Sequence, residues 1–311
     1  MQKLTESILR HAEQIAKDVK AKAIFVYADV FPDPQEIRSI AKEANLVLVS
    51  KEALKKEKAE EVADTVIKVP PIKLTRMGQI KIAILLALSN ELIDPGDQIV
   101  CLSGIANSDV LDTVMVVEVG EELELFKAAG EQRLTQSVQP EVFERVVQIA
   151  AELSGEGREG KPVGAFFVIG DSEKVADYCS QMVINPFRGY PEEERNVLDQ
   201  ALEETIKEFS VLDGAFVIRG DGTILSAGTY LTAGQRGEKL PQGLGARHEA
   251  AASVTASTDA IAVTVSESTG TVTTFRAGKI IMEIEKPREP TDDAQGLKRP
   301  WTKFRERDTG R

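Results

Sequence analysis

The stretch GLGARHEAAA, Gly243 to Ala252, decides how the second half of this chain is read. Gly243 and Gly245 flank Leu244, Ala246 follows, and Arg247 and His248 stand where an alanine-rich helix begins. A glycine-rich turn at a helix start aims free backbone N–H groups, and the positive end of the helix dipole, at one point in space. That point suits an anion. Arg247 adds a planar fork of donors matched to phosphate oxygens, and His248 can donate to a phosphate or join the shell of a metal. The competing reading is a plain helix start with a solvated Arg-His pair. Glycines alone would not decide between the two. The same turn followed by Arg-His, in a chain with only 2 histidines, favours a site.

Working upstream, Leu212-Asp213-Gly214-Ala215-Phe216-Val217-Ile218 reads as a carboxylate and a glycine at the mouth of a buried strand. Gly214 would let a ligand approach the backbone. The strand runs into Gly220-Asp221-Gly222, a hairpin turn by composition, and returns along Thr223 to Ala227. Asp221 belongs to that turn rather than to chemistry. Before the strand, Glu192 to Phe209 reads as one helix with Val197, Leu198, Leu202 and Ile206 inward, and Gly164 to Ile169 as a buried strand. Pro140 opens a helix with a stripe of Val142, Val146, Ile149 and Leu153, followed by a loop from Ser154 to Lys161. Downstream, Ala260 to Val265 and Thr271 to Phe275 read as strands joined by Ser266-Glu267-Ser268-Thr269-Gly270. Those hydroxyls could reach phosphates and Glu267 a metal, but taken alone the stretch reads as a polar turn.

In the first half, residues 3 to 20 form an amphipathic helix on Leu4, Ile8, Ile15 and Val19. Strands follow at Ala23–Ala28, Leu46–Val49, Thr65–Lys68, Gln98–Leu102 and Thr113–Glu118. Asp33-Pro34-Gln35-Glu36 opens a helix with a capping box. Ser50 caps the helix after the second strand, and Thr75 to Asn90 is a long apolar helix. Alternating strands and helices predict a mostly parallel α/β sheet with helices on its faces. No G-x-G-x-x-G follows a strand, which argues against a dinucleotide site.

The bulk numbers set limits. A chain of 311 residues with 42% hydrophobic and 28% charged residues predicts a globular protein of two domains. Its formal charge of −12 argues against a broad basic surface for duplex DNA. Cys101 and Cys179 are the only cysteines, so no disulfide framework and no Cys-x-x-Cys pair exists. The longest apolar run, Ile82 to Leu88, falls far short of the roughly 20 residues that span a bilayer. With no signal-peptide pattern, the sequence predicts a cytoplasmic protein with no membrane partner. The predicted division is 1–120, an α/β regulatory or assembly domain; 121–138, a linker; 139–285, the domain carrying the site; and 286–311, a proline-containing tail with Trp301.

Two resemblances attach to these residues. Asp213-Gly214-Ala215, then ILSAGTYL (Ile224 to Leu231), then L-G-x-R-H-x-A-A, then Ser266-Glu267-Ser268-Thr269-Gly270, in this order, resemble the diadenylate cyclase domain over roughly Pro140 to Ile284. The order of elements in the first half, with ELIDPGDQIVCLSG (Glu91 to Gly104), resembles the C-terminal domain of pyruvate kinase. The combination looks like the soluble archaeal type of cyclase. The resemblance implies a mixed β-sheet flanked by helices and condensation of two ATP into cyclic di-AMP and two pyrophosphates, with Mg²⁺ or Mn²⁺. It makes Asp213 the catalytic carboxylate, and Asp213, His248 and Glu267 the metal candidates. ATP would meet Gly214, Ala215, Leu231, Gly243, Leu244, Gly245, Ala246, Arg247, His248, Ser266, Glu267 and Thr269. Two domains would face one another in a homo-oligomer, and an effector would act at the first domain. The family's helix-hairpin-helix module has no room here, so no DNA binding is implied. The family pattern G-T-R-H-R is broken by Ala246 and Glu249; Arg236, Arg219 or a metal could supply the lost charge. Glu249 also keeps open a nucleotide receptor without catalysis.

Overall fold

In the computed structural model, residues 2–30, 45–51, 63–69, 75–104, 110–120, 137–232 and 244–285 are described. The helix expected from Asp33, the helix expected after Ser50, most of the 121–138 linker, Arg236, Gly243 and the tail from residue 286 with Trp301 lie outside the described residues.

The first half folds around five strands, β1 (Ala23–Tyr27), β2 (Leu46–Ser50), β3 (Thr65–Lys68), β4 (Gln98–Gly104) and β5 (Leu111–Glu118), in the order β3-β2-β1-β4-β5. The first four are parallel and β5 pairs antiparallel with β4. Every residue of β1 and β2 is buried, which is why both read as unbroken apolar runs. Helix α1 (Gln2–Asp18) lays Leu9, Ala12 and Ala16 on the sheet. Helix α2 (Arg76–Ser89) begins with the Thr75 hydroxyl accepting from the Gly78 amide at 3.0 Å. From Gly78 onward, apart from Lys81, its residues are buried. It touches β3 and β4 on one side, and the last strand of the second half and helix α3 (Pro140–Glu156) on the other. Asn90, closing α2, donates to Glu144 of α3.

The second half has seven strands: β6 (Ala165–Ile169), β7 (Cys179–Gln181), β8 (Ala215–Ile218), β9 (Ile224–Leu231), β10 (Ile261–Val265), β11 (Val272–Arg276) and β12 (Lys279–Ile284). Their order is β12-β11-β10-β6-β8-β9-β7, with only β6 and β8 parallel. Helix α3 (Pro140–Glu156) covers one face and helix α6 (Ala246–Ser257) the other. Side-chain alternation divides the strand residues accordingly. Ala165, Phe167 and Ile169 join the core that holds α3, and Phe166 and Val168 the core that holds α6. Both halves are therefore α/β as expected, the first sheet mostly parallel with one antiparallel edge strand and the second mixed.

Glu192 to Phe209 is not a single helix. It comprises 3-10 turns at Glu192–Arg195 and Gln200–Leu202 and a short helix, α5 (Glu203–Phe209), with helix α4 (Ser172–Ala176) earlier in the chain. Polar side chains compete for the backbone here. Asn196 donates to the Asp221 carbonyl at 3.0 Å and accepts from Leu198 N at 2.9 Å, and Asp199 accepts from Ala201 N at 2.9 Å. Val197 and Ile206 are buried as expected, but Leu198 is 40% exposed. The loop expected from Ser154 starts later, because α3 continues to Glu156 and stops at Gly157 with φ 64°.

Helices α3 and α5 are joined by a buried ion network. The Lys207 ammonium, 5% exposed, lies 2.7 Å from Glu152 and 2.7 Å from Glu203. Arg145 pairs with Glu203 at 2.8 Å.

Candidate active site

Strand β8 delivers Asp213 and Gly214 to the rim of the second sheet. Gly214 has φ +104°, and a Cβ there would come within 2.7 Å of Thr229 N and 2.8 Å of Gly228 C. The glycine is therefore required by the close approach of β9 as well as by any ligand. Ala215 is wholly buried and does not reach the cleft, contrary to its expected place against the nucleotide. Across from β8, α6 begins at Ala246 after Gly245, whose extended backbone provides no side-chain cap. The open first turn of this 12-residue helix thus faces the carboxylate.

Arg247 ties these pieces together. Its Nη2 lies 3.3 Å from Asp213 Oδ1, and its Nη1 lies 3.7 Å from Glu267 Oε2. Asp213 is 84% exposed and Glu267 64%, so both carboxylates face solvent and an incoming ligand. Glu267 sits in the turn between β10 and β11. That turn is closed by Gly270 N donating to Ser266 O at 2.8 Å and Ser266 N to Thr271 O at 2.9 Å. The Ser266 and Ser268 hydroxyls are 3.3 Å apart, and Thr269 donates to Thr271 at 2.9 Å.

Together these residues line one cleft of about 1150 Å³. Of the residues singled out in sequence, Asp213, Gly214, Leu231, Leu244, Gly245, Ala246, Arg247, His248, Ser266, Glu267 and Thr269 all line it. His248 is buried with its ring edge-on to Phe275 at 5.9 Å, and burial together with the Arg247 charge pushes its pKa down. It stays neutral near pH 7. The metal candidates Asp213, His248 and Glu267 do not form a preassembled cluster: among the described residues no group of three or more His, Cys, Asp or Glu could hold an ion. Arg219 is removed from the candidates. It is held by Glu192 and Asp221, both at 2.6 Å, and does not line the cleft. Glu249 is exposed and also lies outside the lining.

The sequence reading missed several lining residues, among them Lys161, Met182, Thr229 and Tyr230. Lys161 is exposed and makes no ion pair among the described residues, in contrast to Arg247. Its backbone is fixed by reciprocal bonds with Arg158, at 2.9 and 2.8 Å. The only signal was a lysine in a glycine-rich loop just before a buried strand.

Gly164 was missed as well. A Cβ at this position would sit 2.3 Å from Arg247 Nη1 and 3.1 Å from its Cζ. Its hydrogen thus makes the space in which the guanidinium rests. Gly164→Ala should displace the flexible end of Arg247 while leaving the sheet intact. The expected result is an apparent ATP affinity weakened about 10- to 100-fold with little change in melting temperature. Titration of both proteins with ATP, alongside thermal melts, checks this.

The family model described as "DisA bacterial checkpoint controller nucleotide-binding" matches residues 152–280, and the one described as "Probable sensor domain DacZ_P" matches residues 4–126. A diadenylate cyclase of Methanocaldococcus jannaschii is 31% identical over 91% of this chain and 97% of its own length. One of Haloferax volcanii is 36% identical over 72% of this chain and 81% of its own length. Among solved structures, DacA from Staphylococcus aureus aligns over 47% of this chain and 87% of its own, at 23% identity and a TM-score of 0.30. The chain belongs to the diadenylate cyclase family.

Proposed function

We propose that this enzyme condenses two ATP into cyclic di-AMP and two pyrophosphates, by nucleotidyl transfer between two cyclase domains that face one another. One observation supports this reading above the rest. A single cleft gathers an exposed carboxylate, an uncapped helix start, a guanidinium and a turn of hydroxyls. In this reading the triphosphate lies along the start of α6 and the turn Ser266–Thr269, and Arg247 exchanges its carboxylate partners for phosphate oxygens. Asp213 orients the ribose 3′-hydroxyl and takes up its proton as it attacks the α-phosphate of the other ATP; pyrophosphate leaves. Charge building on the leaving group is met by Arg247, by the helix start and by Lys161.

Divalent Mg²⁺ or Mn²⁺ fits this residue set. Such ions are commonly bound by one or two carboxylates with substrate phosphates and waters completing the shell, which needs no preassembled protein cage. Asp213 and Glu267 would hold it, with neutral His248 nearby in the lining. When bound, the metal lowers the pKa of the attacking hydroxyl and offsets phosphate charge.

The product has two-fold symmetry, so each domain presents one ATP to the other. The openness of Asp213 to solvent fits a site completed by a second copy. So does the apolar part of the lining, where Met182 is 51% exposed and Tyr230 53%. The test is incubation of the purified chain with ATP and either metal, followed by chromatography for cyclic di-AMP and pyrophosphate. The expected specific activity rises with protein concentration. ATP binding without product in either metal would leave a nucleotide receptor as the better reading.

A further inference from the structure

Two demands fall on the side chain of Arg247. Its Nη2 lies 3.3 Å from Asp213 Oδ1 and its Nη1 3.7 Å from Glu267 Oε2. Both terminal nitrogens are thus turned to the two carboxylates that would hold a divalent ion. The same guanidinium is the fork that would grip phosphate oxygens. A fork spread across two carboxylates is not free for a phosphate, and carboxylates that share a guanidinium are not free for a metal.

Charge and position set the order in which these contacts exchange. The lining carries Asp213, Glu267 and Glu283 against Lys161 and Arg247. Among the described residues neither Lys161 nor Glu283 forms an ion pair, so Arg247 alone bridges acids of the lining. Gly164 gives it the room, since a Cβ there would sit 2.3 Å from Nη1. A guanidinium between two carboxylates opposes a second cation by occupying their oxygens and by like-charge repulsion. A triphosphate tips the balance the other way. It carries more negative charge than two carboxylates, it suits the planar fork, and Lys161 adds to its attraction.

We propose that Arg247 closes the Asp213–Glu267 pair to divalent ions in the nucleotide-free protein and yields it to the phosphates of the incoming nucleotide. The ion is thereby admitted together with the triphosphate and not ahead of it. This rests on the reading of the cleft as an ATP site. The coupling is reciprocal, because metal and phosphate draw on one equilibrium of the Arg247 side chain. Ion pairs this exposed are individually weak, so the expected size is about 3- to 10-fold in either affinity.

Two binding measurements on the full chain test this, on variants whose thermal melts match wild type. In the first, Mn²⁺ is titrated without nucleotide into wild type and Arg247→Gln, and the free ion is read by electron paramagnetic resonance. The variant should bind Mn²⁺ about 3- to 10-fold more tightly, and adding Glu267→Gln to it should take back most of that gain. Unchanged affinity, or a gain that survives the loss of Glu267, overturns the proposal. In the second, ATP is titrated with a chelator present. Glu267→Gln should bind metal-free ATP about 3-fold more tightly than wild type, because one competitor for Arg247 is gone. Glu283→Gln removes the same charge from the lining without a contact to Arg247, and should shift the affinity less. Equal shifts in the two variants, or none, would mean a general field and no exchange, and reject the proposal. Neither titration reads turnover, so a failure here and an absence of cyclic di-AMP in the turnover assay are separate results.

Discussion

Asp213→Asn is expected to bind ATP close to the wild-type level and to turn it over at least about 100-fold more slowly. The asymmetry comes from where the side chain stands. At 84% exposed it carries little of the fold, so an isosteric amide should not disturb β8 or the Gly214 junction. Arg247 loses one ion partner but keeps Glu267, 3.7 Å away, and remains beside the helix start. What disappears is an ionised oxygen able to take a proton from a ribose hydroxyl and to bind a divalent ion. Equilibrium ATP binding measured beside steady-state turnover separates the two effects. If affinity and turnover fall by the same factor, Asp213 serves ground-state binding and its assignment as the activating group is wrong.

The second large effect lies far from the cleft. Lys207→Met should destabilise the protein by about 3–5 kcal/mol, because it leaves Glu152 buried, 8% exposed, without its cation. Urea unfolding of the variant measures this. Adding Glu152→Met to Lys207→Met should recover a large part of the loss, since an apolar pair of similar volume replaces an unpaired charge. The network also fixes a pH dependence. Burial alone would raise the Glu203 pKa, but the hydrogen bond from the Lys207 ammonium at 2.7 Å and the Arg145 charge at 2.8 Å outweigh it and hold the group near 2, against an ordinary 4.5. A carboxylate whose folded pKa is depressed contributes stability in full above 4.5 and loses it as pH falls toward 2. Wild type should therefore lose stability across that window, and Lys207→Met should lose less of it.

Much of the fold was legible because its strands are simple. AIFVY, LVLVS and AFFVI are short, apolar and buried throughout, so composition alone marks them. Pro140 and Thr75 mark helix starts through fixed local chemistry. The segment 192–209 failed for a reason that periodicity cannot see. Asn196 and Asp199 spend their side chains on nearby backbone, and the partner of Asn196 is Asp221, which is 25 residues away. Strand β7 was missed because it is three residues long and mostly exposed.

The site divides along similar lines. Asp213, Arg247, His248 and Glu267 were readable from residue type and order, and the structure brings them to one cleft. Gly164 and Lys161 were not, because their roles depend on what β6 lies next to. A glycine before a strand is common, and only the position of the Arg247 guanidinium gives this one a purpose. Gly214 was recognised for half of its reason, the other half being the backbone of β9.

Helix α2 carries a consequence for how the molecule melts and how it evolves. It is buried along nearly all its length and lies between the first sheet and β12 with α3, and the apolar cores on both sides merge into one cluster. Neither half can be cut away cleanly, since whichever piece kept α2 would wear an apolar stripe on its outside and whichever lost it would carry a bare groove. The two halves thus share a common reserve of stability. A substitution in β1 or β4, remote from any nucleotide, is felt in the persistence of the cyclase fold, and the first half cannot drift in sequence without the second registering it.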